Sequence, residues 1–195
     1  NIDGLKLTKK EDIITVTGDG FKIGFNSKDG TLSSIDYGQG NLLQKGPVVN
    51  FWRAPNDNDY GYNMPKLLKP WKDATDTQNL LRLEVNSNEG KKIIDAVKLT
   101  ANPFKIRNDF KLNATYGLPS VNGEVRVTYT INAKGEILVS TQLTGIKGDL
   151  PILPRFGNNL IIDNNYNQVA WYGRGEHENY QDRNTSALVG VYNAK

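Results

Sequence analysis

Apolar and polar positions alternate along most of the chain. Phe21, Ile23 and Phe25 share one face with Lys22 and Gly24 opposite, Asn26-Ser27-Lys28-Asp29-Gly30 carries turn residues, and Thr31 to Tyr37 reads as the return strand. From Phe104 to Leu112 the residues Phe104, Ile106, Phe110 and Leu112 face one way, with Lys105, Arg107, Asp109 and Lys111 on the other side and Asn108 interrupting the apolar face. Val125, Val127, Tyr129 and Ile131 repeat the period, Asn132-Ala133-Lys134-Gly135 turns the chain, and Ile137, Val139, Thr141 and Leu143 run back. Leu81, Leu83 and Val85, then Ile93 to Leu99, form a further pair around a polar turn. A period of two with one wet face is the signature of half-buried antiparallel strands joined by hairpins. Helix signal is scarce: Pro65 to Trp71 predicts a short helix that Pro70 limits to one or two turns. The expected fold is all-β, a large antiparallel β-sandwich occupying residues 1–195 as one domain. Its last strand pattern, Ala187 to Tyr192, is in want of a partner.

Composition narrows the function classes. A chain of 195 residues with 37% hydrophobic content holds one core, and its 0 cysteines exclude disulfides and thiolate metal sites. The formal charge of +3 is dispersed, which argues against a nucleic-acid partner. No apolar run approaches the roughly 18 residues that cross a bilayer, so no membrane partner is expected. The start, Asn1-Ile2-Asp3-Gly4, lacks methionine and signal-peptide character and suggests a piece of something longer.

Two segments are dense in chemistry. Phe51-Trp52-Arg53-Ala54-Pro55-Asn56-Asp57-Asn58-Asp59-Tyr60-Gly61 reads as a loop pinned by buried aromatics and charge-assisted hydrogen bonds. As an EF-hand starting at Asn56 it fails at Tyr60 and Leu67. A looser calcium site on Asp57 and Asp59 competes with turn and capping hydrogen bonds, the favoured reading. The second segment, Trp171 to Arg183, holds the single histidine, His177. Glu176 or Glu178 opposite Asp182 would suit glycoside hydrolysis, against a structural reading in which these acids pair with Arg174 and Arg183. His177 with Glu176 and Glu178 makes a poor metal set, because neighbours on a strand point to opposite faces. Ser186 lies near His177 in sequence, in no recognisable nucleophile context. Trp52, Trp71 and Trp171 are either a sugar-stacking platform or core anchors. Asn113-Ala114-Thr115 and Asn184-Thr185-Ser186 have the glycosylation pattern, which arises often by chance.

In combination these segments carry a family resemblance. Phe51-Trp52-Arg53-Ala54-Pro55 with Asp57-Asn58-Asp59 and Gly61, then Trp71, then Pro154-Arg155-Phe156-Gly157, then Trp171-Tyr172-Gly173-Arg174-Gly175-Glu176 with Glu178-Asn179-Tyr180 and Asp182-Arg183, resemble the signatures of the C-terminal (small-chain) domain of bacterial β-galactosidases of glycoside hydrolase family 2. Glu176 stands where that family usually has proline. The resemblance runs from about Ile13 to the end. It implies a galactose mutarotase-like supersandwich, truncated here at its C-terminus. It also implies that the catalytic glutamates lie in a barrel absent from this chain, so no catalytic residue, metal or cofactor is expected within it. The implied partners are the rest of a parent β-galactosidase chain, a galactoside reached through that parent, and further subunits in a homo-oligomer. The compartment is left open between the bacterial cytoplasm and the periplasm. Trp52, Arg53, Asp57, Trp171, Glu178, Asn179 and Tyr180 are the expected carbohydrate contacts. A stand-alone carbohydrate-binding module and a mutarotase-like epimerase remain the alternatives, and unpaired strand edges predict self-association.

Overall fold

The computed structural model describes residues 4–86, 93–96, 99, 104–106, 109–177, 179 and 184–194. Strands β1 (Leu5–Lys10), β2 (Ile13–Gly18), β3 (Phe21–Asn26) and β4 (Leu32–Asp36) pair in succession as an antiparallel meander. Next come β5 (Leu43–Asn50), the helices α1 (Asp57–Gly61), α2 (Met64–Leu67) and α3 (Lys69–Asp76), and the strands β6 (Asn79–Asn86) and β7 (Ile93–Asp95). They are followed by β8 (Phe104–Ile106), β9 (Phe110–Leu118), β10 (Gly123–Ile131), β11 (Ile137–Thr144), β12 (Gly157–Ile162), β13 (Val169–Arg174) and β14 (Val189–Ala194). One sheet has the order β4-β3-β2-β1-β8 and the other β11-β10-β9-β6-β7; β12 pairs with β5, and β13 with β14. The chain divides into two compact units, Asn1–Ile161 and Ile162–Lys195.

In the first unit the alternation does what its period demands. Leu5 and Leu7, Ile14 and Val16, Ile23 and Phe25 from one sheet are buried, as are Leu112, Val125, Val127, Tyr129 and Ile131 from the other. The two inner faces meet: the Phe25 ring lies 5.9 Å from Phe110 and 5.2 Å from Tyr129 at 61°. Each fully buried side chain of this size contributes on the order of 2 kcal/mol of apolar burial, and the tilted ring pairs add to it. An all-β sandwich with two facing antiparallel sheets is what the patterning predicts.

Four local expectations change. The strand expected from Phe104 to Leu112 is two strands in different sheets, β8 pairing with β1 and β9 with β6 and β10. Its period survives because both sheets bury toward one core: Ile106, Phe110 and Leu112 are all buried. Leu81, expected on the inner face with Leu83 and Val85, is 47% exposed. A register shift between Leu80 and Arg82 inserts Leu81 as an extra residue, and Leu80 packs on the core instead. Pro70 does not merely end a helix. It sits in the first turn of α3, where its missing N–H leaves no partner unsatisfied, just as Pro65 sits in the first turn of α2. The 51–61 run, expected as loop throughout, contains the single-turn helix α1.

In the second unit, the strand pattern ending at Tyr192 has its partner. β14 pairs antiparallel with β13, setting Trp171 opposite Tyr192 and Tyr172 opposite Val191.

Candidate functional site

The first candidate segment leaves β5 at Asn50, and its geometry follows from how that exit is held. Phe51 is buried, its ring stacked on Phe156 at 5.9 Å and 11° and tilted against Trp71 at 5.7 Å. Two stretches noted separately in the sequence, Phe51-Trp52-Arg53-Ala54-Pro55 and Pro154-Arg155-Phe156-Gly157, thus converge through Phe51 and Phe156. The Phe51 N–H donates to Thr75 Oγ1 at 2.9 Å, and the Trp52 N–H donates to the side chain of buried Asn50 at 2.9 Å. Trp71 is in the core and its Nε1–H donates to the Pro151 carbonyl at 2.9 Å, so Trp71 is an anchor. Trp52 is half-buried against the same core.

Arg53 closes the motif. Its guanidinium grips the Asp59 carboxylate with two prongs, Nη1 to Oδ2 and Nη2 to Oδ1, the latter at 2.8 Å. Asp59 Oδ2 also accepts the Asn56 N–H at 2.9 Å, and Asn56 Oδ1 accepts the Asp59 N–H at 3.0 Å. This reciprocal pair is a capping box that starts α1. The Arg53 hydrogen bonds first, and the Asn56 N–H second, hold the Asp59 carboxyl below the usual carboxylate range. Asp59 therefore serves as a structural clasp, the capping reading rather than the calcium one. Asp57 is exposed in the first turn of α1, where a negative charge suits the N-terminus. Tyr60 and Tyr62 are also exposed, at 64% and 56%. Neither was chosen from the sequence, although two aromatics inside a polar motif were a readable signal. Thr75 of α3, which accepts the Phe51 N–H, and Gln78 beyond it, which ties Val49 of β5 to Thr75, carried no local signal.

The second segment is held differently. Trp171 stacks on Tyr192 at 5.5 Å, and its Nε1–H donates to the Arg174 carbonyl at 3.1 Å. Among the described residues, the partners of the Arg174 guanidinium are backbone carbonyls: its Nη1 donates to those of Asn184 and Ala187 at 2.6 and 2.9 Å, tying the 184–187 turn to β13. A guanidinium with several donors closes such a turn well, because backbone carbonyls there lack strand partners. Asn179 is exposed, with its Nδ2 at 3.5 Å from the Arg174 carbonyl. His177 Nε2 lies 2.9 Å from Ser186 Oγ, both exposed, and the Gly175–Glu176 peptide is cis. Glu178, Tyr180, Asp182 and Arg183 lie outside the described residues. Among the described residues, no three of His, Cys, Asp or Glu converge as a metal set. Of the two glycosylation-pattern triplets, Asn113-Ala114-Thr115 lies in the central strand β9 with Thr115 buried and Asn113 accepting from Thr128 Oγ1.

In the first unit, two facing antiparallel sheets with a loop rooted by buried aromatics and clasped by an arginine define a β-sandwich. The profile of the family described as "Beta galactosidase small chain" matches residues 17–195, and the chain belongs to that family. It is similar to a β-galactosidase of Priestia megaterium, 29% identical over 96% of this chain and 16% of that protein. A β-galactosidase of Clostridium acetobutylicum is 30% identical over 96% of this chain and 19% of its own length, and one of Psychromonas ingrahamii 33% identical over 94% and 18%. The chain thus spans less than a fifth of the length of these relatives.

Proposed function

We propose that this chain is the non-catalytic β-sandwich portion of a β-galactosidase that hydrolyses terminal β-galactosides, where it shapes the rim of an active site carried elsewhere and supports subunit packing. The supporting observation is the state of the Arg53–Asp59–Asn56 clasp. Asp59, one of the two carboxylates in the densest motif of the first unit, is engaged on both oxygens by a guanidinium and on one also by a backbone N–H, and holds a loop. The carbohydrate contacts in this reading are Trp52, Arg53 and Asp57 from the first unit, and Trp171, Glu178, Asn179 and Tyr180 from the second. Indole faces suit the C–H face of a pyranose, and amide and carboxylate groups suit its hydroxyls. The supersandwich of mutarotase-like proteins is the fold this reading entails.

The reading is tested in the full-length protein with a nitrophenyl β-galactoside. Asp57→Ala and Asn179→Ala remove exposed groups, so both variants should melt as the parent does. Each should raise KM about tenfold, equivalent to about 1.4 kcal/mol of lost binding. Unchanged kinetics in both variants would overturn the rim assignment. Hydrolysis by the rigorously purified 195-residue chain alone would overturn the non-catalytic one.

A further inference from the structure

In the first unit a cleft of about 330 Å³ opens between the turn after β3, the end of β5 and the start of β6, reaching Tyr116 and Val127 of the second sheet at its floor. Val48, Val49 and Leu80 make its sides, while Asp29, Thr31 and Gln78 stand among its polar lining. The volume is at the small end of the range that ligand sites occupy, and a mostly apolar interior with few polar groups is their usual chemistry.

Both walls are braced. In the turn, Asn26 N–H donates to the Thr31 carbonyl at 2.9 Å, Gly30 N–H to the Asn26 carbonyl at 2.8 Å, and Ser27 N–H to the Asp12 carbonyl at 2.7 Å. Gly30 sits so close that a Cβ there would lie 2.9 Å from both the Tyr116 hydroxyl and Leu80 Cδ1. On the other wall, Gln78 Nε2 donates to the carbonyls of Val49 and Thr75 at 2.9 Å each, fixing β5 to the end of α3. A cleft held open from both sides loses little entropy on filling.

The rim carries one ion pair and one further carboxylate. Lys28 is paired with Asp12 at 2.7 Å, and Asp29 Oδ1 accepts from the N–H and hydroxyl of Thr31 at 3.0 and 2.6 Å. Burial holds the Tyr116 hydroxyl protonated, with Tyr129 and Asp29 acting in the same direction. The Asp29 carboxylate suits a hydroxyl donor and repels an anion, and the apolar sides would strip any ion of its hydration, so a neutral ligand fits best. A polyhydroxylated sugar suits the interior poorly, because hydroxyls on all sides of its ring would lie against Val48, Leu80 and Val127 without partners.

We propose that this cleft, which shares no lining residue with the Arg53 segment, is a ligand site for a neutral ring-sized amphipathic molecule: an aromatic or alicyclic alcohol with its ring against Tyr116, Leu80 and Val127 and its hydroxyl at the Asp29–Gln78 rim. The probe is benzyl alcohol, titrated into methyl-labelled protein. The expected result is saturable shifts confined to the methyls of Val48, Val49, Leu80 and Val127, with a Kd on the order of 1 mM, and contacts from the ligand ring protons to Val127 and Tyr116. Val48→Phe, which fills the cleft from its half-buried side, should weaken binding at least about tenfold while the protein stays folded; Leu80→Phe serves where Val48→Phe does not fold. Galactose at equal concentration should leave the four methyls unmoved. The proposal is overturned by absent shifts up to about 20 mM, by shifts spread over the outer sheet faces, by unweakened binding to a folded filled variant, or by galactose moving the same methyls as strongly.

Discussion

Truncating Phe51 tests whether the first candidate segment is held by its aromatic root. The side chain is fully buried, stacked on Phe156 and tilted against Trp71. Phe51→Ala removes the ring and leaves a cavity, a change that costs about 3–5 kcal/mol. Phe51→Leu keeps most of the apolar volume but forfeits two ring pairs, each contributing about 0.5–1.5 kcal/mol beyond area, so its expected cost is about 1–3 kcal/mol. The hydrogen bond from the Phe51 N–H to Thr75 Oγ1 is a backbone contact and survives in both, so the comparison isolates the ring. The assay is urea unfolding followed by tryptophan fluorescence in a Trp171→Phe background, which leaves Trp52 and Trp71, both in the first unit, as reporters. With a slope of about 3 kcal/mol per molar, a loss of about 4 kcal/mol lowers the midpoint by about 1.3 M. Amide exchange from Trp52 to Gly61 should accelerate in Phe51→Ala more than in β1 or β2, because the ring is the root of that segment. A cost below about 1 kcal/mol for Phe51→Ala, or equal costs for the two variants, would refute the reasoning.

Three further outcomes are expected. Asp59 is depressed in the folded state, so its contribution is present above the unfolded carboxyl value near ~3.9 and is lost as pH falls through the lower folded value. Asp59→Asn should therefore flatten the acid limb of stability against pH, measured as urea midpoints from about pH 6 downward, and an unchanged acid limb would contradict the clasp. Gly30→Ala should destabilise by more than Gly20→Ala: both have positive φ, at 73° and 75°, but a Cβ meets Tyr116 and Leu80 at Gly30 and nothing within 4 Å at Gly20. Melting curves of the two variants separate steric conflict from backbone strain, the latter costing about 1–3 kcal/mol. Leu81→Gln should change stability by less than about 0.5 kcal/mol, whereas Leu83→Ala should cost about 2–5 kcal/mol; equal losses would show that the bulge in β6 is not where the register places it.

The alternation of β10, and of β9 from Phe110 to Ala114, was legible because every second residue there is at least partly exposed, and a period of two needs no knowledge of partners. What pairs with what was not legible. The inner-face residues of β8 and β9 keep one parity across a change of sheet, so periodicity alone reads them as one strand. The exposure of Leu81 was hidden for a related reason: a bulge is defined by the count of residues on two paired strands, and one strand's pattern cannot reveal it. In the candidate segments, contacts within a few residues were readable. Asn56 followed three positions later by Asp59 is a helix-start pattern, and Arg53 lies only six residues before Asp59 in the same run. Bonds from Phe51 to Thr75 and from Trp71 to Pro151 join positions 24 and 80 residues apart, and only the closed sandwich brings them together.

The two candidate segments solve the same problem with different partners for arginine, and the difference tracks what each must hold. Between β5 and β6 the chain makes three short helices, and the first of them, α1, is a single turn too short to be stable alone. A carboxylate at its N-terminus gains from the helix end, from the cap and from Arg53 at once, so an acid–arginine clasp is the economical way to fix it. Between β13 and β14 the 184–187 turn presents backbone carbonyls, and Arg174 satisfies two of them directly. Both arginines are thereby committed to loop shape. Exposed Asp57 contributes its charge to the start of α1, and exposed Asn179 a 3.5 Å approach to the Arg174 carbonyl, so their removal should perturb the scaffold less than loss of either arginine. Their kinetics in the full-length protein therefore separate a contact role from a structural one, which substitution of either arginine could not do.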